Sequence, residues 1–399
     1  MTITPDSLHA SPNALAQHYT KFRVTERILL SGHSHQAWPD CGFDAQQQAW
    51  LDAANLVDDK WGASFERADR VRKGYARLLG EPDADIALAE NTHELIVRLL
   101  SALPVKKRQR ILTTDGEFHS IRRQVDRLSE EGIPVDKVDA MPVESVAERL
   151  AERVDDRTLV VFISSVFFMN SRIVPNLSAV AEACRKHGAA LVVDAYHHMN
   201  IVPFDVHAFG LEDAFIVGAG YKYCQLGEGN GFMRLPKGCA LRPVITGWFS
   251  EFTALTKRPD GGVSYGPGGH RFAGATYDAT ANYRGARVFE FFEEQGLTPS
   301  LLREVSQHQV GLLMSSFDAL DLDPSLIDRD RAVALKDVGG FLALRSPHAG
   351  ALHAALKQRG IYTDFRGDVL RLGPAPYLSD AQLADGITAL GECVRSLLR

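Results

Sequence analysis

Two residues in the middle of the chain have the types and setting for cofactor chemistry. The apolar run Leu191-Val192-Val193 ends in Asp194, with the imidazoles His197 and His198 just behind it. A second run, Ala214-Phe215-Ile216-Val217, ends in Gly218-Ala219-Gly220-Tyr221 and then Lys222. Apolar runs of this length, each ending in a polar group, read as buried parallel strands. Open parallel sheets hold ligands at their carboxyl edge. A carboxylate and an amine delivered to one such cleft suit pyridoxal 5'-phosphate (PLP). The carboxylate keeps the pyridine nitrogen protonated and the lysine holds the aldehyde as a Schiff base. Taken singly, each residue has an ordinary reading too: Asp194 as a turn former or helix cap, Lys222 as a solvated charge.

The elements around them must form an α/β frame. Helices are expected near 11–22, 43–57 and 64–80, the last stopped by Gly80. Thr92 stands where a helix begins after Ala87-Leu88-Ala89. Its N-terminus offers free N–H groups to a phosphate, and a plain helix cap is the compatible alternative. Arg110-Ile111-Leu112-Thr113-Thr114 leads through a polar turn with Phe118 to another helix. Phe118 could stack on a flat ring or simply pack. Strand, turn and helix repeat through Thr158–Ser165 and Leu177–Lys186, which implies a parallel sheet. The tract Gly227-Glu228-Gly229-Asn230-Gly231 opens no helix and leads into a strand at Phe232–Leu235, so it is no dinucleotide fingerprint. Residues 247–271 read as a glycine-rich loop, and the segment beyond 300 alternates helix and strand with antiparallel spacing.

Composition narrows the class. The chain has 399 residues, 45% of them hydrophobic, and a net charge of −6 without a basic tract. Nucleic acid is therefore not the expected partner. The five cysteines form no CxxC pair, which fits a reducing, cytoplasmic setting without disulfides or structural zinc. His33 and His35 lack a third ligand at a recognisable spacing, so no metal is expected. No signal peptide or membrane span is evident.

On these residues the chain resembles kynureninase, within the class-V aminotransferase group of fold-type-I PLP enzymes. The motifs that carry the resemblance are DAYH (194–197), GYKY (220–223), GWF (247–249), RFAGAT (271–276) and VLRLGPAPYLS (369–379). The resemblance implies PLP, with Lys222 as the Schiff-base lysine and Asp194 at the pyridine nitrogen. His197 would lie near the ring hydroxyl, and Asn91 and Thr92 at the phosphate. Phe118 would stack on the ring. Tyr221 would contact the phosphate and serve as proton donor. Trp248 and Thr276 would reach the phosphate of the other subunit, so a homodimer with shared sites is implied. Arg371 would grip the substrate α-carboxylate bidentately.

Some positions depart from the family. Ile121 stands where an Asp is usual. Gly32-His33-Ser34-His35 replaces a Gly-Asn-Ser turn, and Tyr196 and His198 flank the histidine. These positions are expected to line or approach the substrate side, with His33 and Ser34 as substrate contacts. The expected architecture is a large, mostly parallel seven-stranded sheet domain with helices on both faces (41–295). A smaller α+β C-terminal domain (296–399) follows. An N-terminal segment (1–40) packs on the small domain or the site. The expected activity is hydrolysis of the Cβ–Cγ bond of kynurenine or a related 2-amino-4-oxo acid. Class-V transamination or a desulfurase-like lyase reaction is the alternative.

Overall fold

The computed structural model describes residues 3–254 and 262–397. Its strands are β1 (Ile28–Leu29), β2 (Ile86–Ala89), β3 (Arg110–Thr114), β4 (Val135–Val138), β5 (Thr158–Ser164), β6 (Ala190–Asp194), β7 (Phe215–Ala219), β8 (Gly231–Arg234), β9 (Leu342–Arg345), β10 (Ile361–Tyr362), β11 (Asp364–Arg366) and β12 (Val369–Leu372). Seven of them form one sheet in the order β2-β8-β7-β6-β5-β3-β4. The five strands β3 to β7 run parallel; β8 is reversed beside β7, and β2 at the edge pairs antiparallel with β8 and so runs the same way as the five.

Every residue of β5 is buried. Along a strand, side chains alternate between faces, so an apolar run feeds two cores at once. Val161 and Ile163 of β5, with Leu191 and Val193 of β6, enter the larger core. Val160, Phe162 and Val192 enter the second core on the opposite face. Helices Thr92–Ala102, His119–Glu130 and Leu177–His187 connect the strands. This is the expected α/β architecture, a mostly parallel seven-stranded sheet between two apolar cores.

The C-terminal part carries a three-stranded antiparallel sheet, β11-β12-β9. Helix Pro299–Ala319 is capped by Thr298. Helix Asp380–Ser396 starts from a capping box between Ser379 and Gln382. The N-terminal segment joins this part: β1 pairs parallel with β10, and Ser31 bridges to Gly373. That bridge brings the turn Ser31–His35 toward β12.

One expected element is replaced. Residues 11–22 form two 3₁₀ turns, Ala16–His18 and Thr20–Phe22, rather than a helix. Asn13 is the cause. Its Oδ1 accepts the Leu15 N–H and its Nδ2 donates to the carbonyl of Pro376, so side-chain bonds replace helical ones. Among the described residues, no helix is long and apolar enough to cross a membrane. Part of the expected loop, residues 255–261, lies outside the described residues.

Candidate active site

Strand register brings the two singled-out residues together. Asp194 is the last residue of β6 and pairs with Val217 on β7. The chain leaves β7 after Ala219 and turns tightly, with the Leu226 N–H donating to the Gly220 carbonyl at 2.8 Å. A Cβ at Gly220 would strike the Leu226 side chain, so only glycine permits the turn. Lys222 lies on this turn and is 3% exposed.

Aromatic rings and an imidazole surround the Lys222 amine. Its Nζ is 2.7 Å from His197 Nε2. It stands 4.3 Å from the ring centroid of Tyr196, 5.0 Å from Phe118 and 5.8 Å from Tyr221. Burial lowers the lysine to about 7, against the opposing pull of Asp194. Burial pushes the Asp194 carboxyl up, opposed by the Tyr196 N–H at 2.9 Å and by Lys222. His197 is held well below 6.5 by burial first, then by Lys222, His33 and Arg371, so it is a neutral imidazole. Its Nδ1 is buried without a partner.

Phe118 is held from behind by a buried carboxylate that the sequence reading missed. Glu117 accepts the Thr114 hydroxyl at 2.7 Å, the Ser164 hydroxyl at 2.6 Å and the Ser164 N–H at 3.1 Å. It ties the Phe118 turn to β5 beside Asp194, since Ser164 and Asp194 are register partners. Burial raises Glu117 to about 7. Asn91 caps the helix Thr92–Ala102, its Oδ1 accepting the Glu94 N–H at 3.1 Å, and Thr92 is buried at the first turn. Gly231 backs directly onto this cap: a Cβ there would lie 2.7 Å from the Asn91 carbonyl carbon.

The C-terminal sheet and the N-terminal turn close the other side. His33 is fully buried, with neither ring nitrogen partnered. Its ring is 4.4 Å from Phe341, which also lies 6.0 Å from the His197 ring and 5.6 Å from the Arg371 guanidinium carbon. Arg371 is buried, donates to the Phe168 carbonyl at 2.6 Å and pairs with Asp364 at 2.9 Å. Ser34 is buried, its hydroxyl donating to the Ser31 carbonyl at 3.2 Å. Phe341 and Asp364 join the residues singled out from sequence, and neither carried a local signal. Tyr196, expected on the substrate side, stands in the Lys222 cluster.

Two of the expected substrate-side positions lie elsewhere. Ile121 is fully buried in the second core with Val125, on the sheet-facing side of its helix. It stands one turn past Phe118, which points the side chain inward. His198 is buried against Phe204 at 4.8 Å and contacts the Pro203 carbonyl, so it is a core residue. Trp248 and Thr276 meet each other, with Nε1 3.2 Å from Oγ1. Thr276 lines a cavity of about 370 Å³ with Phe249, Phe252 and Tyr277, and no member of the Lys222 cluster lines it.

The chain is similar to known proteins over most of its length. The aminotransferase class-V family model matches residues 57–224, and the kynureninase C-terminal domain model matches 303–390. On these two stretches the chain is similar to the class-V group of PLP-dependent enzymes. It is similar to an uncharacterized aminotransferase, YcbU, of Bacillus subtilis (21% identical, covering 85% of this chain and 87% of that protein). It is also similar to the kynureninase of Deinococcus radiodurans (22% identical, covering 88% and 83%). Among solved structures, a C-DES mutant with glycine covalently linked to its PLP cofactor superposes with a TM-score of 0.82 (18% identity, covering 94% and 98%).

The residues present fit PLP. A buried amine and a buried carboxylate stand at adjacent strand ends, an aromatic face lies beside the amine, and an imidazole nitrogen, His197 Nε2, meets the amine. A helix N-terminus, closely approached by the Gly231 backbone, supplies free N–H groups.

Proposed function

We propose that the enzyme is a kynureninase-like hydrolase, cleaving the Cβ–Cγ bond of kynurenine or a related 2-amino-4-oxo acid. The observation that carries an α-amino-acid substrate is the convergence of Lys222 and Arg371 on one buried space walled by His197, His33 and Phe341. An amine site and a guanidinium held that way read the two ends of an amino acid. The kynureninase C-terminal match covers Arg371 and so favours this reading over transamination. A desulfurase-like reaction needs an accessible thiolate. Burial pushes every cysteine thiol up, Cys41 to about 11 and Cys184 and Cys224 to about 12, which disfavours it.

In this reading Lys222 would hold PLP covalently, with Asp194, Phe118 and His197 at its ring. Asn91, Thr92 and Tyr221 would hold the phosphate. Bound PLP supplies the electron sink for loss of the Cα proton. Once the substrate's amine has taken its place on the aldehyde, Lys222 Nζ is a free amine whose affinity for protons burial has lowered, and it can take that proton near neutral pH. The neutral His197 beside it adds no positive charge that would oppose the transfer. Arg371 fixes the α-carboxylate, and His33 and Ser34 border the side chain. Tyr221, raised above 10 by burial, keeps its phenolic proton and delivers it to Cβ as water cleaves the acyl group away. Trp248 and Thr276 serve the phosphate of a second copy in a homodimer. Domain borders fall near residues 40 and 295.

Incubation with kynurenine, 3-hydroxykynurenine and a panel of amino acids tests the reading. Stoichiometric alanine and an aromatic acid are expected from the first two. A keto acid from the panel, with no alanine from kynurenine, would replace it with transamination.

A further inference from the structure

Arg371 is held by more than its own strand. Asp364 is its register partner across β11 and β12, and Arg371 Nη2 meets Asp364 Oδ2 at 2.9 Å with the two side chains 3% and 6% exposed. The other oxygen, Oδ1, accepts Arg366 Nη1, also at 2.9 Å. The Ser34 hydroxyl faces the same carboxylate. Arg371 Nη1 is committed to the Phe168 carbonyl. Its Nε is buried without a partner.

Charge counting sharpens the picture. Two guanidinium groups and one carboxylate leave one net positive charge. His33 and His197 add none, because burial and the neighbouring cations keep both neutral. A free buried arginine would sample several rotamers, which opposes orderly capture of a ligand, and would carry an unpaired buried charge, which costs stability. Fixed on two sides, the guanidinium presents its remaining edge to a carboxylate without further ordering.

We propose that Asp364 is a positioning residue for substrate recognition. It fixes the Arg371 guanidinium with Nε free and leaves the Arg366–Asp364–Arg371 group matched to a single carboxylate. This rests on the reading of Arg371 as the α-carboxylate grip. Asp364 also joins β11, β12 and the Ser31–His35 turn, so the site's carboxylate end is assembled from three segments at one residue.

The test is calorimetric titration of the holoenzyme with propanoate, which has a carboxylate and no amine, and with propylamine, which has the reverse. Asp364→Asn, of the same shape, should weaken propanoate binding about tenfold, and Asp364→Ala more, as expected for loss of a charge-assisted contact. Propylamine binding and the cofactor's absorbance should not move. Propanoate binding that is unchanged or tighter in Asp364→Asn overturns the proposal, and that variant decides if Asp364→Ala fails to fold by circular dichroism. Arg371→Gln separates the two levels. If it leaves propanoate binding intact, the carboxylate grip itself is wrong. If it abolishes binding while the Asp364 variants leave it unchanged, only the positioning role falls.

Discussion

The two halves of the site are built on different principles. The half around Lys222 comes from strand ends of one sheet, where β6 and β7 are neighbours and backbone register delivers Asp194 and the Lys222 turn. The half around Arg371 comes from β11, β12, the Ser31–His35 turn and the Phe168 carbonyl, with no sheet common to all of them. The first tolerates little change because its geometry is shared by a whole sheet. The second is held by individual side-chain contacts, which is where substrate choice can vary without disturbing the cofactor.

The largest effect should come from the first half. Lys222→Ala should abolish borohydride-fixed cofactor adduct, read by mass, and lower turnover by on the order of a thousandfold or more. An adduct surviving at another lysine would remove the basis for pairing β6 with β7 as the chemical core. A smaller change is expected in the second half. A Cβ at Gly373 would press on the His33 ring. Gly373→Ala should therefore displace the Ser31–His35 turn, raise KM more than it lowers kcat, and cost about 1–3 kcal/mol in stability. A kcat loss at constant KM would mean that the two halves are not separable.

The effect expected to touch turnover least is a pH dependence on the cofactor half. Glu117 is raised from 4.5 to about 7 by burial, so the fold favours its neutral form. Its ionisation therefore costs stability progressively as pH rises from about 4.5 to 7, and the cost is fully present above 7. Glu117→Gln has no such ionisation. Its stability relative to the wild type should rise across that window by up to about 3 kcal/mol. Denaturant melts of both proteins at several pH values measure this, and a flat difference would show that Glu117 stays charged in the fold.

Legibility in the sequence followed the same division. Asp194 and Lys222 could be read because each ends an apolar run, and a strand's end is a local property. The Phe118 turn and the Thr92 helix start were readable for the same reason. Ile121 was misplaced because only packing against Val125 and the sheet decides that it faces the core. The segment 11–22 was misread because Asn13 spends its side chain on a carbonyl from the far C-terminal region.

By itself, the sequence determined which groups could do chemistry on the sheet's edge, since hydrophobic runs and the polar residues that end them lie within a few positions of one another. Only the tertiary structure decided that Asp364 faces Arg371, that Glu117 braces Phe118, and that His33 lies against Gly373 and Phe341. Those contacts depend on strand register and burial, which join residues far apart in the chain and leave no local pattern to read.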